Sequence, residues 1–217
     1  RRSTDVQSAL APPTPPSHPS NAARHADYRW IWAQSGVLRN LLGISDAADF
    51  KEAEENVSYY EIAVILAEQP WTLSEIDFGL LLEIHRRIFG GVYTWAGELR
   101  TIEISKGNTR FAFSQYLDTL GGDLFARLEA EGWLAGLGRT EFVERLAWYY
   151  SESNILHPFR EGTGRAIRTL LSVLAFQADG AVIAWDQMSS EENVEATAHA
   201  YANDESKLVA MLDRLIP

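Results

Sequence analysis

Residues 157–168 read HPFREGTGRAIR, a histidine and a proline followed by a glycine-spaced loop that carries a glutamate and three arginines. Apolar residues recur at helical spacing on both sides of it. Thr140–Ser153 presents a stripe of Phe142, Leu146, Trp148 and Tyr149, and Gly164–Phe176 forms a second periodic segment. The stretch is therefore a loop between two helices. Gly162-Thr163-Gly164 falls just ahead of the second helix, where the first backbone N–H groups lack carbonyl partners and the dipole is positive. Glycine lets such a backbone adopt special dihedrals and approach a phosphate closely. Arg165 and Arg168 are three apart, share a helix face, and are both available to phosphate oxygens. Glu161 offers one carboxylate, which suffices for Mg2+ when substrate phosphates and water complete the coordination shell. His157 stands at the loop entrance with Pro158 restricting its backbone to extended conformations, and a neutral imidazole there suits a general base. The competing reading of the same residues is a glycine-rich turn with arginines on a solvated face. The loop is neither a Walker A motif nor a dinucleotide fingerprint, since GxxxxGK[ST] is missing and position 167 is Ile; HExxH is absent too.

The rest of the chain narrows the classes. Its 217 residues allow one sizeable domain, with 46% apolar and 23% charged residues as in ordinary globular proteins. Lys+Arg 19 against Asp+Glu 30 gives a formal charge of −11, a surface that repels DNA, RNA and anionic membranes. The cluster Arg160, Arg165 and Arg168 stands out against that background. There is no cysteine, which excludes disulfides, thiolate nucleophiles and Cys-ligated zinc and is compatible with a reducing cytoplasm. No apolar run is long enough to cross a bilayer, and the two N-terminal arginines lead into no signal-like apolar segment.

Residues 1–27 hold five of the eight prolines, centred on APPTPPSHPS, and read as a flexible tail or linker. Globular composition begins at Tyr28. Helices are expected over Ala47–Glu68, from a Thr72/Glu75 capping box to Phe89, over Ser114–Glu131, Ser189–Tyr201 and Asp204–Leu215. RTIEISKGNTRF breaks this pattern: Ile102 and Ile104 alternate with polar residues before a turn at Lys106-Gly107-Asn108, which predicts a β-hairpin over about 101–112. The fold class is mostly α with one hairpin. His85, on a helix, reads as a satisfied structural histidine; His18, His25 and His199 have no metal-spaced partner. The tryptophans read as packing residues, and the acidic run Glu52–Glu55 as a solvated helix face.

HPFREGTGR resembles the signature of the Fic (filamentation induced by cyclic AMP) family, HPFx[D/E]GN[G/K]R, at eight of nine positions. Arg168 matches that family's frequent second arginine, and VYTWAGELRTIEISKGNTRFA is similar to the region that leads into and forms its flap hairpin. The likeness spans about residues 28–217. It implies a Fic-type helical domain with the flap over the active-site loop 157–165, and transfer of AMP from ATP to a Tyr, Thr or Ser hydroxyl of another protein. In that scheme His157 deprotonates the target hydroxyl and Glu161 holds Mg2+. The amides of Gly162, Thr163 and Gly164 cradle the phosphates, while Arg165 and Arg168 neutralise the diphosphate. Phe159 anchors the loop, and Lys106 or Gly107 at the flap tip touches nucleotide or target.

Thr163 departs from the family's Asn. A β-branched residue is poorly suited to positive φ, so weakened nucleotide binding and reduced activity are expected. The family's inhibitory pattern, [S/T]xxxE[G/N], is missing: Glu55-Asn56, Glu131-Gly132 and Glu192-Asn193 are preceded four back by Lys51, Arg127 and Met188. The resemblance then points to toxin-type members, bacterial and cytoplasmic or acting in a host cell if secreted. In these a separate antitoxin protein supplies the inhibitory glutamate, here to Arg168. Two alternatives remain open: a catalytically degenerate relative that binds nucleotide or protein, and a transferase with another nucleotide donor.

Overall fold

A computed structural model describes residues 31–32, 35–106 and 109–217; the Pro-rich segment 1–27 and Gly107 lie outside the described residues. Seven α-helices are built from them: α1 (Ala47–Glu68), α2 (Phe78–Phe89), α3 (Leu117–Ala130), α4 (Arg139–Leu156), α5 (Thr163–Asp179), α6 (Ser190–Tyr201) and α7 (Ser206–Leu215). α2 and α5 are the central pair. On α2, Leu81, Ile84, Ile88 and Phe89 are buried, and on α5, Ile167, Leu170, Leu171 and Leu174. α1 packs on both, α3 covers α2, and α4 lies between α5 and the α6–α7 pair.

Local chemistry accounts for the helix starts. The Asp46 carboxylate accepts the N–H groups of Ala48 and Asp49 and opens α1. The Thr72/Glu75 capping box forms, with Thr72 N–H donating to Glu75 at 2.8 Å, but it opens only a single 3-10 turn, Leu73–Glu75. The expected continuous helix is interrupted because Ile76 turns extended to bury its side chain and gives its carbonyl to Trp133 Nε1 at 2.9 Å. Asp77 then caps α2 afresh through Leu80 N–H.

The hairpin is much shorter than the alternation predicts. Antiparallel pairing is confined to β1 (Ser105–Lys106) and β2 (Thr109–Arg110), in register Ser105 with Arg110 and Lys106 with Thr109. Ile102 and Ile104 stand outside the ladder, half-buried. Their alternation is not carried into strand pairing. Of the tryptophans, Trp95 is buried, and Trp32, Trp71, Trp133, Trp148 and Trp185 are half-buried against the core.

Candidate functional site

α4 ends at Leu156, and His157 caps it in a left-handed conformation at φ 45°, ψ 63°. The extended backbone expected ahead of Pro158 is not adopted. A left-handed residue bonds its N–H back to Ser153 O at 3.1 Å and turns the chain sharply off the helix. A non-glycine residue holds this conformation only where its surroundings impose it. Those surroundings are specific. The half-buried imidazole donates from Nδ1 to Asn154 O at 3.3 Å and stacks on Phe111 with ring centres 3.9 Å apart. That tautomer puts the basic lone pair on Nε2.

Phe159, wholly buried, anchors the loop that follows. Its ring stacks on His85 at 3.8 Å and 16°, and such burial is worth about 1.5–3 kcal/mol. His85 does more than pack. Gly97 N–H donates to its Nδ1 at 2.8 Å, so its Nε2–H donates to Glu161 O at 2.9 Å. Burial pushes its pKa down to about 4, the bond to the Glu161 carbonyl pulls it up, and the Arg165 charge lowers it further. A neutral imidazole therefore fixes the middle of the loop from below.

Gly162 takes the positive φ, 78°, that ends the loop, and a Cβ there would meet the Phe89 ring at 2.3 Å. Only glycine fits on both counts. This corrects the expectation for Thr163. Thr163 is the first residue of α5 with helical dihedrals and none of the predicted strain, since its neighbour absorbs the left-handed turn. Its hydroxyl, 2% exposed with the residue, accepts Phe159 N–H at 3.3 Å and donates to Phe159 O at 3.4 Å. It closes the loop from inside instead of facing outward. No side chain of the described residues caps α5, so the helix start retains its unfilled amides and positive dipole end.

The two arginines separate. Arg165 is drawn to α1, where Nη1 and Nη2 bond the Glu54 carboxylate at 2.7 and 2.6 Å and Nη1 bonds Ser58 Oγ at 2.8 Å. Its guanidinium also lies 4.8 Å from the Phe89 ring. Burial works against the charge, but the Glu54 bonds and charge outweigh it and raise the pKa. The acidic run Glu52–Glu55 is thus not a uniformly solvated face: Glu54 is buried, one turn from buried Ser58. Arg168 instead folds back over the helix start, where a Cβ on Gly164 would lie 3.3 Å from its Nη1, and sits 6.0 Å from the Trp185 ring. The shared face predicted by spacing is not used as a pair.

Glu161 is exposed, its Oε1 accepting Gly162 N–H at 2.9 Å. No cluster of three or more possible metal ligands occurs among the described residues. A lone carboxylate at the rim of an amide-lined helix start fits a metal that arrives with phosphates rather than one held by protein alone. Lys106 contributes backbone to the hairpin, while Gly107 lies outside the described residues.

Arg100 was invisible to motif reading. Its side chain is fully buried and bonds carbonyl oxygens of His157, Ile102 and Ala112. Backbone acceptors leave no trace in spacing or charge pattern, so only its place just before the alternating run hinted at it.

No helix among the described residues is long and apolar enough to cross a membrane. The model of the Fic/DOC family matches residues 75–175. The chain is 36% identical over 189 residues to the probable protein adenylyltransferase Fic of Salmonella typhimurium, covering 86% of this chain and 91% of that protein. It is 34% identical over 181 residues to protein adenylyltransferase VbhT of Bartonella schoenbuchensis, covering 83% of this chain but 37% of that longer protein. Among solved structures, the BepC effector of Bartonella tribocorum with bound AMPPNP superposes with a TM-score of 0.81 at 22% identity, over 89% of this chain and 98% of that one. A Bartonella quintana Fic domain with bound ADP does so with the same score at 23% identity, over 88% and 95%. These two share the fold. With 36% identity to a relative matched over 91% of its length and the loop built as above, the chain belongs to the Fic/DOC family.

Proposed function

We propose that this protein is a protein adenylyltransferase, transferring AMP from Mg-ATP to a Tyr, Thr or Ser hydroxyl of a target protein. The observation that carries the proposal is one loop holding His157, with its basic nitrogen set as Nε2, directly ahead of the uncapped start of α5. Relatives that bear the same activity in their names support it.

In the reaction, His157 Nε2 takes the proton of the target hydroxyl as its oxygen attacks the α-phosphorus. The bond from that phosphorus to the bridging oxygen breaks, diphosphate leaves, and the products are the adenylylated protein and a protonated imidazole. The amides of Thr163 and Gly164 receive the phosphates, that of Gly162 joins them once the Glu161 carboxylate releases it, and Arg168 adds charge over the helix start. Arg165 reaches diphosphate only by leaving Glu54. Catalysis of this kind rests on positioning and charge stabilisation, and both are properties of fixed backbone. Glu161 is the carboxylate that would hold Mg2+, which when bound neutralises phosphate charge. Since the Thr163 hydroxyl is committed to Phe159, a weaker phosphate grip and reduced activity follow.

The hairpin serves as the flap: an extended segment of the target pairs along its β1 side, since Arg110 on β2 is bonded by the Tyr201 hydroxyl, with Lys106 and Gly107 at the tip beside nucleotide or target. A separate antitoxin supplies a glutamate to Arg168, and the protein acts in the cytoplasm, or in a host cell if exported.

The test is incubation of the protein and its His157→Ala variant with ATP labelled at the α- or γ-phosphate, Mg2+ and cell lysate. Protein bands carrying α-label that fall about 10²–10⁴-fold in the variant support the proposal. ATP binding without transfer refutes it in favour of the binding-module reading, which the inward-turned Thr163 hydroxyl favours. Transfer of γ-label alone refutes it in favour of a phosphotransferase.

A further inference from the structure

Among the described residues, Arg100 is the side chain whose hydrogen bonds reach both legs of the hairpin and the loop behind it. Nε donates to His157 O at 2.8 Å, Nη1 to Ile102 O at 2.7 Å, and Nη2 to Ala112 O and, at 3.5 Å, to Leu156 O. Backbone bonds flank this fork: Arg100 N–H to Pro158 O and Ala112 N–H to Ile155 O, both 2.9 Å. Its nearest carboxylate, Glu103, stands at 3.9 Å from Nη1 and is itself engaged by Ser114 N–H and Oγ. A fully buried cation held by four carbonyls is an unusual choice unless geometry is the purpose.

Two features give it one. Leu156 and His157 carry carbonyls at the C-terminal end of α4, where orphan acceptors and the negative end of the dipole favour a cation. The hairpin, meanwhile, has a ladder of two residues per strand, too little to hold itself together. Ile102 and Ala112 are points where its legs meet the body, beside Arg110, whose N–H and carbonyl are bonded by the Tyr201 hydroxyl. Phe111, adjacent to Ala112, is the residue whose ring stacks on His157.

We infer that Arg100 is a positioning residue that joins the hairpin base and the His157 loop into one unit. The guanidinium sets the His157 backbone through its carbonyl, and sets the His157 ring through Ala112 and the neighbouring Phe111. Anything that displaces the hairpin, such as a docked strand, is thereby felt at the imidazole. The amides at the start of α5 are held separately, by His85 on Glu161 and by Thr163 on Phe159. Lysine offers one nitrogen where the fork needs three, so it can satisfy only part of the set.

The inference rests on the adenylyl-transfer reading for its kinetic arm. In Arg100→Ala, kcat for transfer is expected to fall about 100-fold while the Kd for ATP stays within about threefold, because a shift of the base of an ångström is enough to lose that much rate. Arg100→Lys should restore about tenfold of the loss. The Ala112 amide, bonded to Ile155 O, should exchange hydrogen faster in both variants, while the Arg110 amide, held by the Tyr201 hydroxyl, serves as the reference. Wild-type kcat in folded variants, or an ATP Kd that rises as much as kcat falls, overturns the inference. Should Arg100→Ala not fold, Arg100→Lys decides by the same readouts. Should the wild type transfer no AMP, the functional reading fails and exchange in Arg100→Lys decides alone: faster exchange at Ala112 supports the clamp, and unchanged exchange there overturns it.

Discussion

Acid should loosen this protein through one buried side chain. His85 has no exposed surface, accepts Gly97 N–H and donates to Glu161 O, so the folded state holds it neutral with a pKa pushed down from 6.5 to about 4. The unfolded chain takes up a proton near 6.5 and the folded chain does not until about 4. Stability from this group is therefore complete above 6.5 and declines as pH falls toward 4. The full difference is worth roughly 3 kcal/mol at about 1.4 kcal/mol per pH unit, of which about 2 kcal/mol is lost by pH 5. For a domain of this size that is about 4–8 °C in Tm. The assay is urea unfolding of the wild type and of His85→Gln at pH 7.5 and pH 5. Gln keeps one donor and one acceptor but does not titrate, so it should be less stable at pH 7.5 yet lose about 2 kcal/mol less on acidification. Equal losses in the two proteins would refute the assignment of the acid-sensitive group.

Two further perturbations probe the loop and its neighbours. Glu54→Ala leaves Arg165 buried without its carboxylate and should destabilise by about 3–5 kcal/mol in chemical denaturation, whereas an unchanged midpoint would mean the guanidinium finds another partner or water. Thr163→Val removes the hydroxyl that joins the N–H and carbonyl of Phe159 and should cost about 1 kcal/mol by the same measurement. Thr163→Asn should raise ATP affinity or turnover in the labelled-ATP assay, and no change in either removes position 163 from the account of phosphate binding.

Much of the molecule is written in local sequence. Helix existence follows from apolar periodicity and from caps such as Asp46, because both act within one or two turns. The left-handed turn of the loop is legible as glycine at 162, although the strain assigned to Thr163 belongs one residue earlier. His85 as a satisfied histidine was readable too, while Phe159 as anchor came only through the family resemblance. Other features depended on long-range contacts. Glu54 meets Arg165 across 111 residues of chain, and Arg100 meets His157 across 57. A charge pattern along α1 cannot say which carboxylate will be buried, since that depends on which helix packs there. Spacing puts Arg165 and Arg168 on one face, but their neighbours part them. What the chain order alone determined was the kind of loop and the helices that carry it. The tertiary structure decided which polar groups stay exposed and which are bound inside, because a buried donor goes to whatever acceptor packing brings within reach.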